Sequence, residues 1–248
     1  MRIMSGHSHS KKIKREKAIT DQKRGQMFSK IARMISVAIK EGGSNPGTNQ
    51  KLNVAMETAK KWNLPKENIE RAIKKGSGEE SAGEKLEEVS FEAFGPGGVA
   101  IIIEGITDNK NRALGEIKQI LNQNNGKLVG EGAVRWLFEK KGVISVDLNS
   151  QSSDFKNKEG IEMAAIDSGA QDFRWHDDDL EIYTKPEDLE KVRKVLEGKG
   201  VKIEGGSLDW VAKEEISADE KTKELCQKLF EALDENETVQ EIYSNLKI

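Results

Sequence analysis

Between Gln26 and Lys40 apolar residues return every three or four positions, at Phe28, Ile31, Ile35 and Ile39, so they share one face of a helix. Leu52, Ala55, Met56 and Ala59 repeat the pattern, and Ile69, Ala72 and Ile73 carry it a third time in a segment opened by Pro65 and stopped by Gly76. Three short helices with apolar stripes predict a small bundle. The period then shortens. Val89, Phe91 and Ala93 alternate with Ser90 and Glu92 as a half-exposed strand does, "GPGG" makes a turn, and "VAIIIEG" suits a central strand. Ala113, Leu114, Ile117, Ile120 and Leu121 restore the helical period until "NQNNG" ends it.

Residues 134 to 204 read as β, α, β, β, α, β. The parts are a strand in "VRWLFEKKGVISVDL", a helix with Ile161, Ala164 and Ala165, strands at "DFRW" and "LEIYT" around the "HDDD" turn, a helix opened by Pro186 with Leu189, Val192 and Leu196, and a strand at "VKIEG". This is the order of the split βαβ, ferredoxin-like unit, with Phe173 and Trp175 on its core face. "LDWV" is expected to return to the earlier sheet, and Ser217 to Glu220 reads as a capping box before a helix with Leu225, Leu229 and Leu233. The predicted fold class is multi-domain, α plus α+β: an N-terminal helical bundle followed by two α+β domains, the ferredoxin-like one inserted in the other. The expected boundaries are 1–78, 84–133 plus 205–248, and 134–204, with a flexible linker over 76–85.

Composition narrows the class. A 248-residue chain that is 35% hydrophobic and 33% charged fills several modest cores more readily than one thick one. No apolar run approaches the roughly 18 residues of a membrane span, and no apolar segment follows the basic start as in a secretory signal. A cytoplasmic protein without a membrane partner is expected. The single cysteine, Cys226, excludes an internal disulfide and a cysteine-based zinc site, and its place on an apolar helix face predicts burial.

The net charge of −3 conceals a division. Residues 1 to 78 hold 18 Lys and Arg against 6 Asp and Glu, and the remainder holds 22 against 37. A field that concentrated calls for a polyanion. The expected nucleic-acid contacts are Lys11, Lys12, Lys14, Arg15, Lys17, Lys23, Arg24, Lys30 and Arg33. From Ser5 to Arg24 only Ile13, Ala18 and Ile19 are apolar, too few to offset the entropy of ordering, so this arm is expected to order on binding. DNA and ribosomal RNA present the same phosphates, and the charge alone does not choose between them.

Catalytic chemistry finds little support. His7, His9 and His176 lack a third ligand at metal spacing, and the acids of "HDDD" at a turn tip are expected to be solvated. "FGPGGVA" is neither a phosphate-binding loop nor a dinucleotide fingerprint, and "TDNKNR" has no nucleophile with a base. No enzyme, cofactor, metal or small-molecule substrate is expected. These two stretches are kept as candidate partner-contact loops through Gly95, Pro96, Gly97 and Gly98, and through Asp108, Asn109 and Arg112, with Asp108 or Asn109 as helix cap.

"MSGHS", the spaced basic run from Lys14 to Lys30, "NLPKENIERAIKKG", "FGPGGVA", "TDNKNR", "LFEKKGV" and "VQEIYSN" together resemble the YebC family over essentially the whole chain. The resemblance implies three domains, a helical bundle and two α+β domains, with the ferredoxin-like one inserted. It also implies a non-enzymatic regulator of gene expression, either a DNA-binding transcriptional regulator or, as in the related mitochondrial translational activator of cytochrome oxidase, a factor that binds the ribosome and eases difficult stretches such as polyproline. A monomer is expected. One position departs from the family pattern: Ser10 stands where a Trp is usual, followed by Lys11 and Lys12, which shifts the arm from stacking toward phosphate contact.

Overall fold

The computed structural model describes residues 21–78, 86–152 and 155–247. Helix α1 (Asp21–Gly42) carries Ile31, Ile35 and Ile39 into a core completed by Leu52, Ala55 and Ala59 of α2 (Gln50–Lys61) and Ala72 of α3 (Lys66–Ser77). Asn49 caps α2 by accepting the Leu52 N–H at 3.0 Å. The stop of α3 is Gly78, with φ of 80°, and not Gly76 as expected from the sequence. Gly76 instead lies within the helix where α3 crosses α1. A Cβ there would meet the Ser36 carbonyl at 2.6 Å, so the two helices touch backbone to backbone.

Two four-stranded antiparallel sheets follow. β1 (Glu87–Phe94), β2 (Ala100–Thr107), β3 (Lys127–Val129) and β8 (Val239–Ser244) form the first, in the order β3-β1-β2-β8. Its Ala93, Ile101, Ile103 and Ile242 pack against Ile117 and Leu121 of α4 (Lys110–Gln123) and against Cys226, Leu229 and Leu233 of α7 (Glu220–Asp234). The second sheet comprises β4 (Phe138–Asp147), β5 (Asp172–His176), β6 (Asp179–Thr184) and β7 (Gly205–Ala212), in the order β5-β6-β4-β7. That is the ferredoxin-like order. Ile144, Val146, Leu180 and Ile182 face Ile161 and Ala165 of α5 (Lys158–Asp167) and Val192 and Leu196 of α6 (Leu189–Gly198), with Phe173 and Trp175 half-buried beside them. The whole second sheet lies in sequence between β3 and α7, so the chain is an N-terminal helical unit followed by two α+β units, one set within the other.

Three expectations are corrected. "LDWV" does not return to the first sheet: it is part of β7, which pairs with β4 from Phe138↔Ala212 to Ser145↔Gly205. "VKIEG" accordingly is not the last strand. The backbone of Lys202 is held by a side chain, accepting from Gln151 Nε2 and donating to its Oε1, both at 2.9 Å, while Val201 drops into the core. The ladder begins only at Glu204, whose N–H donates to Ser145 at 2.9 Å. At α7 the cap is Asp219, which accepts the Thr222 N–H at 2.8 Å, in place of Ser217.

The sheets join where β4 and β7 begin and end. Phe138 and Ala212 pack with Val134 on Ala100, Ile102 and Tyr243, the face of the first sheet turned away from its helices.

Candidate nucleic-acid interface

Lys11, Lys12, Lys14, Arg15 and Lys17 lie outside the described residues, as do His7 and His9, and the proposed linker falls mainly on 79–85, also outside them. Lys23 is in the first turn of α1. Arg24 is exposed, its guanidinium 5.6 Å from the ring centre of Phe28.

Lys30 and Arg33 are placed otherwise. Lys30 has a side chain only 4% exposed; its ammonium donates to the Asp234 carbonyl at 2.6 Å and to Asp234 Oδ1 at 3.2 Å. A buried ammonium so held cannot reach a phosphate without breaking its own bonds, which corrects its assignment as a nucleic-acid contact. Arg33 reaches the same turn, donating to the Glu237 carbonyl at 2.6 Å and to its carboxylate at 2.8 Å. Lys40 donates to the Leu86 carbonyl at 2.9 Å, and Lys51 bridges Glu41 and Glu88 at 2.7 and 2.8 Å. These cations dock the bundle on the first α+β unit. Arg193 of α6 completes the attachment by pairing with Glu57 of α2 at 3.1 Å.

Other cations remain on the outer surface. Lys60, Lys61, Arg71 and Lys74 are exposed and have no ion-pair partner among the described residues, and Lys66 pairs only with Glu70, at 3.5 Å in full exposure. Sequence reasoning passed over them by concentrating on the arm. Their signal was present in the doubled lysines of "AKKW" and "AIKKG", which fall in the last turns of α2 and α3 where cations also favour the helix dipole.

The two candidate loops stand at opposite ends of one hairpin. β1 and β2 pair from Glu87↔Thr107 to Phe94↔Ala100, so residues 95–98 and 108–112 are separated by the length of the strands, roughly 23 Å at about 3.3 Å per residue. Gly95 and Pro96 are buried, with the Pro96 carbonyl 3.6 Å from Cys226 Sγ; Gly97 and Gly98 take positive φ and are exposed. At the other end Asn109 is the cap of α4, accepting the N–H groups of Asn111 and Arg112 at 3.1 Å, and Arg112 is paired with Asp108. Burial pushes the Cys226 thiol up to about 11, so it is neutral and structural. Among the described residues no group of three or more His, Cys, Asp or Glu could hold a metal ion, and no helix is long and apolar enough to cross a membrane.

The fold and surface define a class: a three-unit α plus α+β protein whose helical unit bears exposed cations and whose remaining sequence is acidic. The chain belongs to the TACO1/YebC family. Residues 8–79 match the model described as "TACO1/YebC protein N-terminal domain", and 86–246 match "TACO1/YebC second and third domain". A "Probable transcriptional regulatory protein" of Syntrophus aciditrophicus is 43% identical over 99% of this chain and 96% of its own length. A protein of the same description from Halothermothrix orenii is 44% identical, over 99% and 96%. The crystal structure of a conserved hypothetical protein from Aquifex aeolicus superposes with a TM-score of 0.84 at 42% identity, covering 94% of each chain.

Proposed function

We propose that the protein is a non-enzymatic, monomeric regulator of gene expression that binds DNA through its helical unit, in the cytoplasm. The observation that carries this reading is the charge division, 18 cations to 6 acids in residues 1–78 against 22 to 37 in the rest. Arg24, Lys60, Lys61, Arg71 and Lys74 supply the phosphate contacts, joined by Lys11, Lys12, Lys14, Arg15, Lys17 and Lys23 of the N-terminal segment. The names of the relatives support regulation of transcription as the outcome. The acidic units orient the bound protein by repelling the duplex from their side.

Crosslinking in cells, with sequencing of both the DNA and the RNA recovered, is the test. Discrete genomic DNA sites are expected, together with a steep salt dependence in vitro: if about six phosphates are neutralised, the log–log slope is roughly −5 on duplex DNA. Recovery of ribosomal RNA alone, or binding indifferent to salt, would overturn the proposal.

A further inference from the structure

The connection from β3 to β4 runs "GEGAVRWLF" and carries Trp136, which is 66% exposed, the most exposed large hydrophobic residue among those described. An exposed indole by itself needs no explanation. This one is held in place from several sides. The buried carboxylate of Glu92 accepts the N–H groups of Gly132, Val134 and Arg135 at 2.7, 2.8 and 3.0 Å, which fixes the backbone leading into it. The indole N–H donates to the Ala133 carbonyl at 3.1 Å, and Lys213 donates to the carbonyl of Trp136 itself at 2.9 Å. Val134 beside it is rooted in the core between the sheets. The polar atom of the ring is therefore satisfied within the loop, and what the loop presents to solvent is a rigid apolar ring.

Cations lie on the same part of the surface. The Arg135 guanidinium and the Lys140 ammonium lie 5.5 and 5.3 Å from the ring centre of Trp210 in β7, and Lys213, just beyond the end of that strand, holds the Trp136 carbonyl. The carboxylates nearby are the buried Glu92, 3.4 Å from Arg135, Glu131, 3.6 Å from Arg135 with a side chain 86% exposed, and Glu104, 3.5 Å from Lys140. The exposed Glu131 pair is the kind a phosphate displaces at little cost. A protein-binding anchor would sit in an apolar surround, whereas the groups bonded to this ring and its backbone are the Ala133 carbonyl and the Lys213 ammonium.

We propose that Trp136 is a stacking platform for an unpaired nucleobase, with Lys213 placed for an adjoining phosphate. This rests on the reading of the protein as a nucleic-acid binder, and adds a second point of attachment, remote in sequence from the basic bundle, that favours opened over paired strands.

The test compares the full chain with Trp136→Leu, which keeps apolar bulk and removes the aromatic face, and Trp136→Phe, which keeps an aromatic face. The probes are oligothymidylate, oligouridylate and a duplex of the same length, followed by tryptophan fluorescence and by affinity at fixed salt. Trp62, Trp175 and Trp210 are half-buried, so quenching present in the parent and absent from both variants reports Trp136. Single strands are expected to quench the parent; W136L is expected to bind them at least about five-fold more weakly, the lower end of the effect of one base stack. W136F is expected to bind them within about two-fold of the parent, and none of the three to differ on the duplex. The thymidylate and uridylate arms show whether opened DNA or RNA is the better source of the base. W136L binding single strands as tightly as the parent overturns the platform while leaving the proposed function standing, and so does that result accompanied by loss of a co-purifying protein. A parent that binds no probe overturns the nucleic-acid reading itself.

Discussion

Glu92 is a carboxylate kept charged in a nearly dry setting. Burial alone would raise its pKa, but the three backbone N–H groups it accepts, with Arg135 alongside, outweigh that and hold it below the ordinary 4.5. A carboxyl depressed on folding contributes stability that is complete above 4.5 and is lost as pH falls through its lower folded-state value. Glu92→Gln removes the charge and leaves one acceptor oxygen among three donors. It is expected to lower stability by about 1–3 kcal/mol at neutral pH. In thermal melts stepped downward through pH 4.5, the gap between parent and variant is expected to narrow. A gap that stays constant would show that Glu92 is held neutral.

At the scale of elements, the crossing of α1 and α3 is decided by one missing methyl group. Ser36 Oγ donates to the Ala72 carbonyl at 2.9 Å, and Gly76 one turn on lets the Ser36 backbone come close. In an open helix, alanine at Gly76 would gain up to about 1 kcal/mol in propensity. Here its Cβ would strike the Ser36 carbonyl and Ile39 Cβ, at 2.6 and 2.9 Å, neither a flexible side-chain end. Overpacking of this kind costs about 1–3 kcal/mol, so Gly76→Ala is expected to be destabilising in a denaturant titration. An unchanged or raised midpoint would mean that the helices slide apart freely.

The helices were legible in the sequence because a stripe recurring every three or four residues has one structural meaning: Ile31, Ile35, Ile39, Leu189, Val192 and Leu196 are all buried as their spacing predicts. The final strand of the second sheet was not. "VKIEG" and "GGSLDWVA" both alternate, and what separates them is Gln151, some fifty residues away, which occupies the backbone of Lys202. Local pattern proposes a strand, and remote partners decide it.

Over the whole molecule the same limit governs charge. Lys30 reads as one more cation in a basic segment, yet its partner Asp234 lies 204 positions later. The cations of the helical unit therefore divide into those that join the units and those that face outward, a division that only the folded chain displays. Lys30→Gln is expected to lower stability by about 2–3 kcal/mol, since it removes the charge and draws a shorter, neutral donor back from the Asp234 carbonyl and carboxylate, and to leave nucleic-acid affinity unchanged in the folded protein. Replacing Lys60, Lys61 and Lys74 together by alanine is expected to do the reverse, leaving the melting temperature within about 2 °C and making the salt slope shallower by about one for each phosphate no longer neutralised. Salt-titrated binding and melting of both variants check the pair. Weakened binding by a stably folded Lys30→Gln protein would return that residue to the interface.

The setting of one sheet inside the other also has a consequence for the order in which the protein comes into being. A chain emerges from synthesis beginning at its N-terminus, and domains close as their last strand becomes available. The inner sheet has all its strands once Ala212 has been made, whereas the outer one lacks β8, the neighbour of β2, until Ser244. Throughout that interval β2, with Ile101, Ile102 and Ile103 among its side chains, waits with an open edge. Of the two α+β units, the one begun first is finished last, closing around a guest that has already folded.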